Sequence, residues 1–514
     1  MRAPYIGGAL LLTLCWSGNA PADGGGLTLL EAVKTGNREA VAMLLRQGST
    51  VNTREPDGMT ALHWAVRADD LPTVQMLLRA GANVNAANRY GITPLFLAAT
   101  NGSAPAIELL LKAGANARDT KPEGETVLMT AARTGDSGVV KALLAHGAEV
   151  DAKEQWLGET ALMIAAAEDH GDAVKALIDA GADLNARSAP TNLPDLQWVP
   201  AGMSTTLFPR GSWTALMFAA QQGALDAARV LAGAGADLNL VDLDGTTALV
   251  FSILNAHYDV AALLVEKGAD PNVADAAGMA ALYTAVDMST IPFMHNRPPP
   301  PPHGKLEAID IIRILLAHGA DPNQRLKAPT IQRHHDPGDR GLGDGSTPLM
   351  RAAKVPDIPV MRLLLANGAD PKLTQRNGTN ALLFAAGLGR GGSVGYGRAK
   401  SGTVDEAIEA VRLLLDAGLD VNGPNSDGTT PLHASVASVS DVRPLIQFLI
   451  DRGADPNTKN KRGQTPLDAA RGGTRVGTLA AKNPQVVELL SRLTAPAGTT
   501  AEQSDRPDPD SPDK

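Results

Sequence analysis

The 514-residue sequence has a single cysteine, and that residue, Cys15, lies in an apolar N-terminal segment. The remainder of the chain therefore offers no disulfide, no thiolate metal ligand and no cysteine nucleophile. Aromatic residues are also scarce, at 3% of the chain. Several ordinary cores could not be anchored with so few aromatic rings, so small and aliphatic side chains must do the packing. That composition favours stacked helices.

Net positive charge and long apolar runs are absent as well. The formal net charge is −9, which argues against a general role in nucleic-acid binding. Beyond the N-terminal segment no run reaches 18 apolar residues, so we expect no membrane insertion of the mature chain. A single core seldom grows past about 300 residues, so the length indicates several domains or a repeat array.

The N-terminus has the features of a secretory signal. Arg2 precedes an apolar run from Ile6 to Trp16, and Ala20-Pro21-Ala22 provides a small-residue cleavage site. The sequence thus predicts a signal peptide over residues 1–22 and export to the periplasm or out of the cell. An uncleaved anchor is the alternative, which the shortness of the run disfavours. Leu14, directly before Cys15, argues against a lipoprotein signal.

An internal repeat fills most of the chain. Its marker is a Thr-x-Leu triplet, which recurs with a basic step of 33 residues that lengthens to 54, 67 and 50 at three places. Clear copies begin at Thr60, Thr93, Thr126, Thr160, Thr214, Thr247, Thr347, Thr430 and Thr465, and degenerate copies begin at Thr28, Ala280 and Asn380. About twelve units result.

The sequence pattern of each unit predicts two short helices and a turn. A Gly usually stands two residues before the Thr, an Ala-rich helix follows, and a second helix carries a Leu pair and ends at a glycine such as Gly81, Gly147 or Gly268. An Asn/Asp-rich stretch leads back to the next unit. Such helices cannot bury their apolar faces alone, so the units must stack. The acidic residues of the turns, such as Asp242 and Asp244, are expected to be solvated.

The Thr-Pro-Leu-like starts, the Leu-Leu-x-x-Gly-Ala ends and the Ala-Asp-Pro-Asn turns resemble the ankyrin repeat family. The resemblance implies an all-α ankyrin solenoid over residues 23–493 and a protein-binding scaffold, without any implied chemistry. His63 and His433 occupy the family's histidine position, where a hydrogen bond at the helix start is expected rather than a metal or catalytic role. Tyr90 and Trp156, on the family's concave side, either contact a partner or stack on the next turn.

Four insertions interrupt the array, at about residues 188–210, 289–304, 326–343 and 388–402. The first carries Trp198 and Phe208, with Trp213 just beyond, and these aromatics either anchor a partner or pack against neighbouring turns. The second contains Pro298–Pro302, a polyproline II segment that serves as a spacer or a ligand.

Histidines of the second and third insertions suggest a metal site, but the two insertions lie on opposite rims. His295 and His303 belong to one, and His334, His335 and Asp336 to the other. Since a metal needs ligands at about 2 Å, the prediction is that no metal site forms.

The fourth insertion is rich in glycine. Gly392, Gly395, Gly397 and Arg398 could form an anion-binding loop before a helix, but a flexible linker is the favoured interpretation. The loop ends at Thr403 and Glu406, which predict a capping box. Farther on, Asn483 and Pro484 are predicted to start the last helix, and residues 494–514 to be disordered.

These patterns together predict a monomeric, non-catalytic scaffold for protein partners, without cofactor or nucleic acid. One alternative is an enzyme or small-ligand binder that uses a pocket built by the insertions. Another is a secreted effector that binds host proteins. The first interpretation accounts for the whole chain, whereas the enzyme interpretation accounts only for two loops.

Overall fold

The computed structural model describes residues 27–190, 211–290, 304–328, 341–387, 402–436, 441–472, 474–476, 479–481 and 483–494. These residues form 24 α-helices and one short antiparallel strand pair. Consecutive helices form twelve two-helix repeats, numbered 1–12 below. The prediction of a helical array of about twelve units is confirmed. A short strand pair, β1 (Thr474–Val476) and β2 (Leu479–Ala481), lies in the chain between the two helices of repeat 12.

The helices of the twelve repeats, in chain order, are α1 (Leu29–Lys34) and α2 (Arg38–Arg46), α3 (Ala61–Arg67) and α4 (Leu71–Arg79), α5 (Pro94–Thr100) and α6 (Ala104–Lys112), α7 (Val127–Thr134) and α8 (Ser137–Ala145), α9 (Ala161–Ala167) and α10 (Gly171–Asp179), α11 (Ala215–Gln222) and α12 (Leu225–Gly233), α13 (Ala248–Leu254) and α14 (Tyr258–Glu266), α15 (Ala281–Thr290) and α16 (Ala308–Ala317), α17 (Pro348–Lys354) and α18 (Ile358–Ala366), α19 (Ala381–Ala385) and α20 (Val404–Asp416), α21 (Pro431–Ser435) and α22 (Arg443–Asp451), and α23 (Pro466–Gly472) and α24 (Pro484–Thr494).

Side-chain caps set the starts of both helices in a repeat. The Thr126 hydroxyl accepts the Met129 N–H at 3.1 Å at the start of α7, and the Asp136 carboxylate accepts two N–H groups at the start of α8. The predicted caps of later helices are confirmed, since Thr403 and Glu406 form a capping box and Asn483 accepts the Val486 N–H before Pro484. These bonds satisfy donors that a short helix would otherwise leave without a partner.

Stacking between repeats buries the helices on several sides. The first helix of a repeat contacts the first helices of its neighbours, as in α3 with α5 and α5 with α7, and the second helices form a parallel layer. Leu62, Ala65 and Val66 of α3 are no more than 1% exposed. Full burial of a Leu or Val side chain stabilises the fold by about 1.5–3 kcal/mol, whereas a lone helix of seven residues would not form in water.

Polar contacts join each repeat to the next at the turns. We call the turn that precedes a first helix the tip of that repeat, so that residues 55–58 and 88–91 are the tips of repeats 2 and 3. The Arg89 N–H donates to the Asp57 carbonyl at 2.9 Å, and the Gln155 N–H donates to the Glu123 carbonyl at 3.0 Å. Backbone bonds of this kind fix each tip on the preceding one.

The chain divides into two compact units, the first with repeats 1–8 and the second with repeats 9–12. Within the first unit, the predicted insertion near 188–210 leaves and re-enters the array at one turn, where Pro190 and Gly211 form a bridge. The insertion at 289–304 separates α15 from α16.

Two further insertions lie partly beyond the described residues. The segments predicted as signal peptide and as C-terminal tail also lie beyond them. Leu326, where the insertion at 326–343 begins, is joined by backbone bonds of 2.9 and 2.8 Å to Ser346 and Gly345, just beyond its end. The insertion at 388–402 separates α19 from α20. The predicted signal peptide over residues 1–22 and the predicted tail after 494 lie outside the described residues.

Candidate interaction surface

Exposed large hydrophobic side chains are concentrated at the tips. Five such side chains occur among the residues that the structure describes: Leu27, Met43, Tyr90, Trp156 and Leu243. Three of the five belong to tips, namely those of repeats 3, 5 and 7. Single exposed apolar residues are common on any protein, but their recurrence in the same turn of the repeat makes the tips candidates for binding.

Tyr90 projects from a turn with a fixed backbone. The Asn88 side chain accepts the N–H groups of Tyr90 and Ile92, each at 2.9 Å. The guanidinium of Arg89 lies 4.7 Å from the centre of the Tyr90 ring and donates to its hydroxyl. Tyr90 is 59% exposed, so its side chain is accessible to a partner.

Trp156 is the most exposed large hydrophobic residue among those described, at 82%. Its tip is one residue longer than those of repeats 2, 3, 4 and 7. The Glu154 carboxylate accepts the N–H groups of Trp156, Leu157 and Glu159 at 2.5–3.0 Å. The nearby carboxyl of Glu159 is partly buried, and its pKa is raised, chiefly by burial and secondarily by the charge of Glu154. Burial and carboxylate bonding thus hold the turn, while the indole itself stays in solvent.

The first helices of repeats 2–5 continue the same surface, which we call the inner face: the solvent-facing side of α3, α5, α7 and α9 together with the adjoining tips. Trp64 and Leu97, at equivalent positions of α3 and α5, are half-buried. Three positions farther along, Arg67, Thr100 and Arg133 are exposed. The Trp64 indole N–H donates to Glu55 of the tip at 2.6 Å, which ties helix and tip into one face.

Repeats 7 and 8 present a different environment at the same positions. Leu254 and Asp287, the equivalents of Arg67, are 3% and 2% exposed. The tip residues Asp242 and Asp244 are buried too, so the expectation of solvated acidic turns is wrong here. Asp242 accepts the N–H groups of Asp244 and Thr246 at 2.9 Å, and these internal bonds offset the cost of removing its carboxylate from water.

Trp213 belongs to this buried region. It is 4% exposed, packs against Phe218 and Phe251 with ring centres 5.3 and 4.7 Å away, and its indole faces Asp242 at 3.3 Å. Of the two roles considered for the aromatics near the first insertion, local packing therefore applies to Trp213. Trp198 and Phe208 lie outside the described residues.

The predicted structural role of the two family histidines matches their contacts. In His63, Nδ1 lies 2.8 Å from the Thr60 hydroxyl and Nε2 lies 3.1 Å from the Ile92 carbonyl of the next tip. His433 repeats the pattern with Thr430 and the Gln464 carbonyl. Burial lowers the pKa of both imidazoles.

The other candidate sites fall beyond the described ranges. They are Gly392, Gly395, Gly397 and Arg398 of the anion loop, and His295, His303, His334, His335 and Asp336 of the suggested metal site. Within the described ranges no group of three or more His, Cys, Asp or Glu side chains could hold a metal ion. None of the described helices has the length and apolar character needed to cross a membrane.

Sequence reasoning missed Leu243 and Trp64 as members of the surface. Leu243 stands two residues before a tip glycine, as Trp156 does, so alignment of the tips would have identified it. The exposure of Trp64 depends on which side of α3 faces solvent, which the sequence alone does not reveal. Its neighbours Lys34 and Arg67 lie 4.5 and 5.3 Å from the ring centre.

Comparison with known proteins agrees with this architecture. The family model for ankyrin repeats (3 copies) matches residues 29–121, 113–188, 197–275 and 400–492, and the model for a single ankyrin repeat matches residues 344–376. No curated protein matches the chain. Because the family matches span more than half of the sequence and coincide with the two-helix repeats, the chain belongs to the ankyrin repeat family.

Proposed function

We propose that this protein is a non-catalytic scaffold that binds a protein partner through the inner face of repeats 2–5. The observation that carries the proposal is the recurrence of exposed hydrophobic side chains at the tips, with Tyr90 and Trp156 on this face. Tyr and Trp are the residues in which binding energy is most often concentrated at protein interfaces.

Rigidity of the tips supports this assignment. Carboxylate or amide oxygens hold the backbone beneath both aromatic rings, so little conformational entropy remains to be lost when a partner docks. The equivalent helix positions of repeats 7 and 8, Leu254 and Asp287, are buried, whereas Arg67, Thr100 and Arg133 of repeats 2–4 are exposed to a partner.

Affinity purification with matched variants tests the proposal. Proteins captured by the wild type are compared with those captured by the double variant Tyr90→Ser/Trp156→Ser and by the control Met43→Ser, whose exposed apolar residue lies on the second helix of repeat 1. The proposal predicts a partner that the tip variant loses and the control retains. A partner retained by the tip variant, with its fold intact by circular dichroism, would contradict the location of the site.

Export is part of the same proposal. Arg2, the apolar run that follows it and the Ala20-Pro21-Ala22 sequence support cleavage after Ala22 and a scaffold that works in the periplasm or outside the cell. N-terminal sequencing of the protein recovered from the envelope and from the medium tests this. A start at or near Asp23 is expected, and an intact Met1 in the cytoplasmic fraction would contradict it.

The absence of catalysis is likewise proposed. The alternative enzyme would use groups of the inserted loops, near Gly389–Lys400 or His334–Asp336. A purified protein that turns over a substrate, and loses that turnover in the double variant His334→Ala/His335→Ala, would replace the scaffold proposal with the enzyme alternative.

A further inference from the structure

Three arginines give the inner face of repeats 2–5 a distinct charge. Arg67 ends α3, Arg89 belongs to the tip of repeat 3, and Arg133 lies in the last turn of α7; all three are exposed. Arg67 and Arg89 contact aromatic rings, at 5.3 Å from Trp64 and 4.7 Å from Tyr90. Across the described ranges, no carboxylate lies within ion-pairing distance of these three guanidinium groups.

Several carboxylates of the same face are already engaged. Glu55 pairs with Lys34 and accepts the Trp64 indole N–H. Glu125 pairs with Lys121 at 2.8 Å and accepts the Thr130 hydroxyl at 3.0 Å. Glu154 is occupied by three backbone N–H groups. The two ion pairs neutralise Glu55 and Glu125, whereas Glu154 keeps its charge. Arg67, Arg89 and Arg133 are thus cations of this face without a carboxylate in ion-pairing distance, although the whole chain is acidic.

We propose that the inner face of repeats 2–5 binds an extended acidic segment of another protein, with Arg67, Arg89 and Arg133 as the groups that contact its carboxylates. This inference rests on the proposed scaffold function and specifies the chemistry of its partner. Arginine beside an exposed aromatic ring suits a segment that carries both carboxylate and aromatic side chains, because guanidinium pairs with the first and the ring packs on the second.

The spacing of the arginines sets the length of that segment. Packed helices lie about 8–10 Å apart, so Arg67 and Arg133, two repeats apart, are separated by about 20 Å along the stack. An extended chain covers about 3.3–3.6 Å per residue, so the acidic groups that meet them must stand about six residues apart. Glu123 and Glu168 are also exposed on this stretch. Because they repel carboxylates, we expect the acidic residues of the bound segment at intervals and not as an unbroken run.

Selection from a random peptide library tests the inference although the natural partner is unidentified. Phage that display random peptides of about 12 residues, long enough to span the arginines at the extended rise per residue, are selected on the full chain. Each selected peptide is then measured against four proteins. Three are the wild type, the variant Arg67→Gln/Arg89→Gln/Arg133→Gln, and a control of equal charge change on second helices, Arg46→Gln/Arg79→Gln/Lys141→Gln. The fourth is the tip variant Tyr90→Ser/Trp156→Ser.

The inference predicts that selected peptides are net acidic and contain aromatic residues. Their affinity should fall at least about tenfold in the inner-face variant, stay within about twofold of wild type in the control, and weaken with added salt, as expected when charged contacts are lost. An absence of selected peptides, a neutral or basic consensus, or an equal loss in both variants would overturn the inference.

The same experiment separates this inference from the proposed function. Peptides without acidic character that lose binding in Tyr90→Ser/Trp156→Ser would overturn the acidic partner and leave the scaffold proposal standing. Selected peptides that bind all variants equally would contradict both.

Discussion

At the scale of single residues, the buried histidines link stability to pH. His63 and His433 each join a helix start to the next tip through both ring nitrogens, and burial lowers the pKa of each below its ordinary value of 6.5. The unfolded chain therefore takes up protons at a higher pH than the folded protein does. The stability that these neutral rings provide is complete above about pH 6.5 and is lost as the pH falls toward their folded pKa.

We expect His63→Met to separate this effect from general acid unfolding, since Met129, Met163 and Met217 occupy the equivalent position in other repeats. At about pH 7.5 the variant should lose about 1 kcal/mol of unfolding free energy, because the two hydrogen bonds disappear. Toward about pH 5 the difference from wild type should shrink. Urea unfolding at several pH values measures the difference in unfolding free energy between the wild type and the variant. A difference that widens on acidification would contradict this account.

Two glycines show how closely successive tips approach. Gly58 has a φ of +89°, and a Cβ at this position would lie 2.9 Å from Cα of Asn88 in the next tip; Gly81 has a φ of +83° and open space around it. We expect Gly81→Ala to cost about 1 kcal/mol from backbone strain alone. Gly58→Ala should cost at least about 1 kcal/mol more, because a tip must move.

The two alanine variants control for each other in thermal or urea unfolding. Equal losses of stability would mean that the tips do not meet closely at Gly58.

At the scale of elements, asparagine side chains join each repeat to the next. The Asn85 amide donates to the Gly114 carbonyl at 3.0 Å, and its oxygen accepts the Asn116 N–H at 3.0 Å. Asn52 and Asn422 make the same pair of contacts with their own neighbours. In repeat 5 an aspartate, Asp151, keeps only the accepting role toward the Asp183 N–H among the contacts described.

We expect Asn85→Ala to lower the unfolding free energy by about 1–2 kcal/mol, because both bonds of an exposed junction are lost. Asn85→Asp should cost about half as much, because a carboxylate can still accept the Asn116 N–H, as Asp151 does for its neighbour. Urea denaturation of the two variants gives the comparison. A larger loss for aspartate than for alanine would show that the acceptor contact is not what matters.

The elements themselves were largely predictable from sequence. The Thr-x-Leu triplets located the first helices, and the caps at Thr403 and Asn483 followed from local chemistry, because a cap depends on residues within one turn. The burial of Asp242 and Trp213 was not predictable, since both depend on contacts between repeats. The exposure of Tyr90 and Trp156 followed from their place in a turn, whereas that of Trp64 depended on which side of its helix faces solvent.

At the scale of the whole molecule, the composition and the repeat predicted the architecture but not the surface that binds. A formal charge of −9 by itself favours a partner with a basic face, yet Arg67, Arg89 and Arg133 of the inner face of repeats 2–5 are exposed and have no carboxylate within ion-pairing distance in the described part of the chain. Net charge sums over all surfaces, whereas a partner meets only one of them. Which charged groups that surface offers depends on local ion pairs, such as Lys34 with Glu55 and Lys121 with Glu125.

Site-specific photocrosslinking tests the central claim most directly. A benzophenone amino acid is placed at Tyr90 or Trp156 in the full chain, and at Met43 as an exposed control on the second helix of repeat 1. The account predicts that both tip positions, in cells that produce the protein, give a discrete crosslinked species that contains the same partner and that Met43 does not. Crosslinks to that partner from Met43 alone, or equally from all three positions, would contradict it.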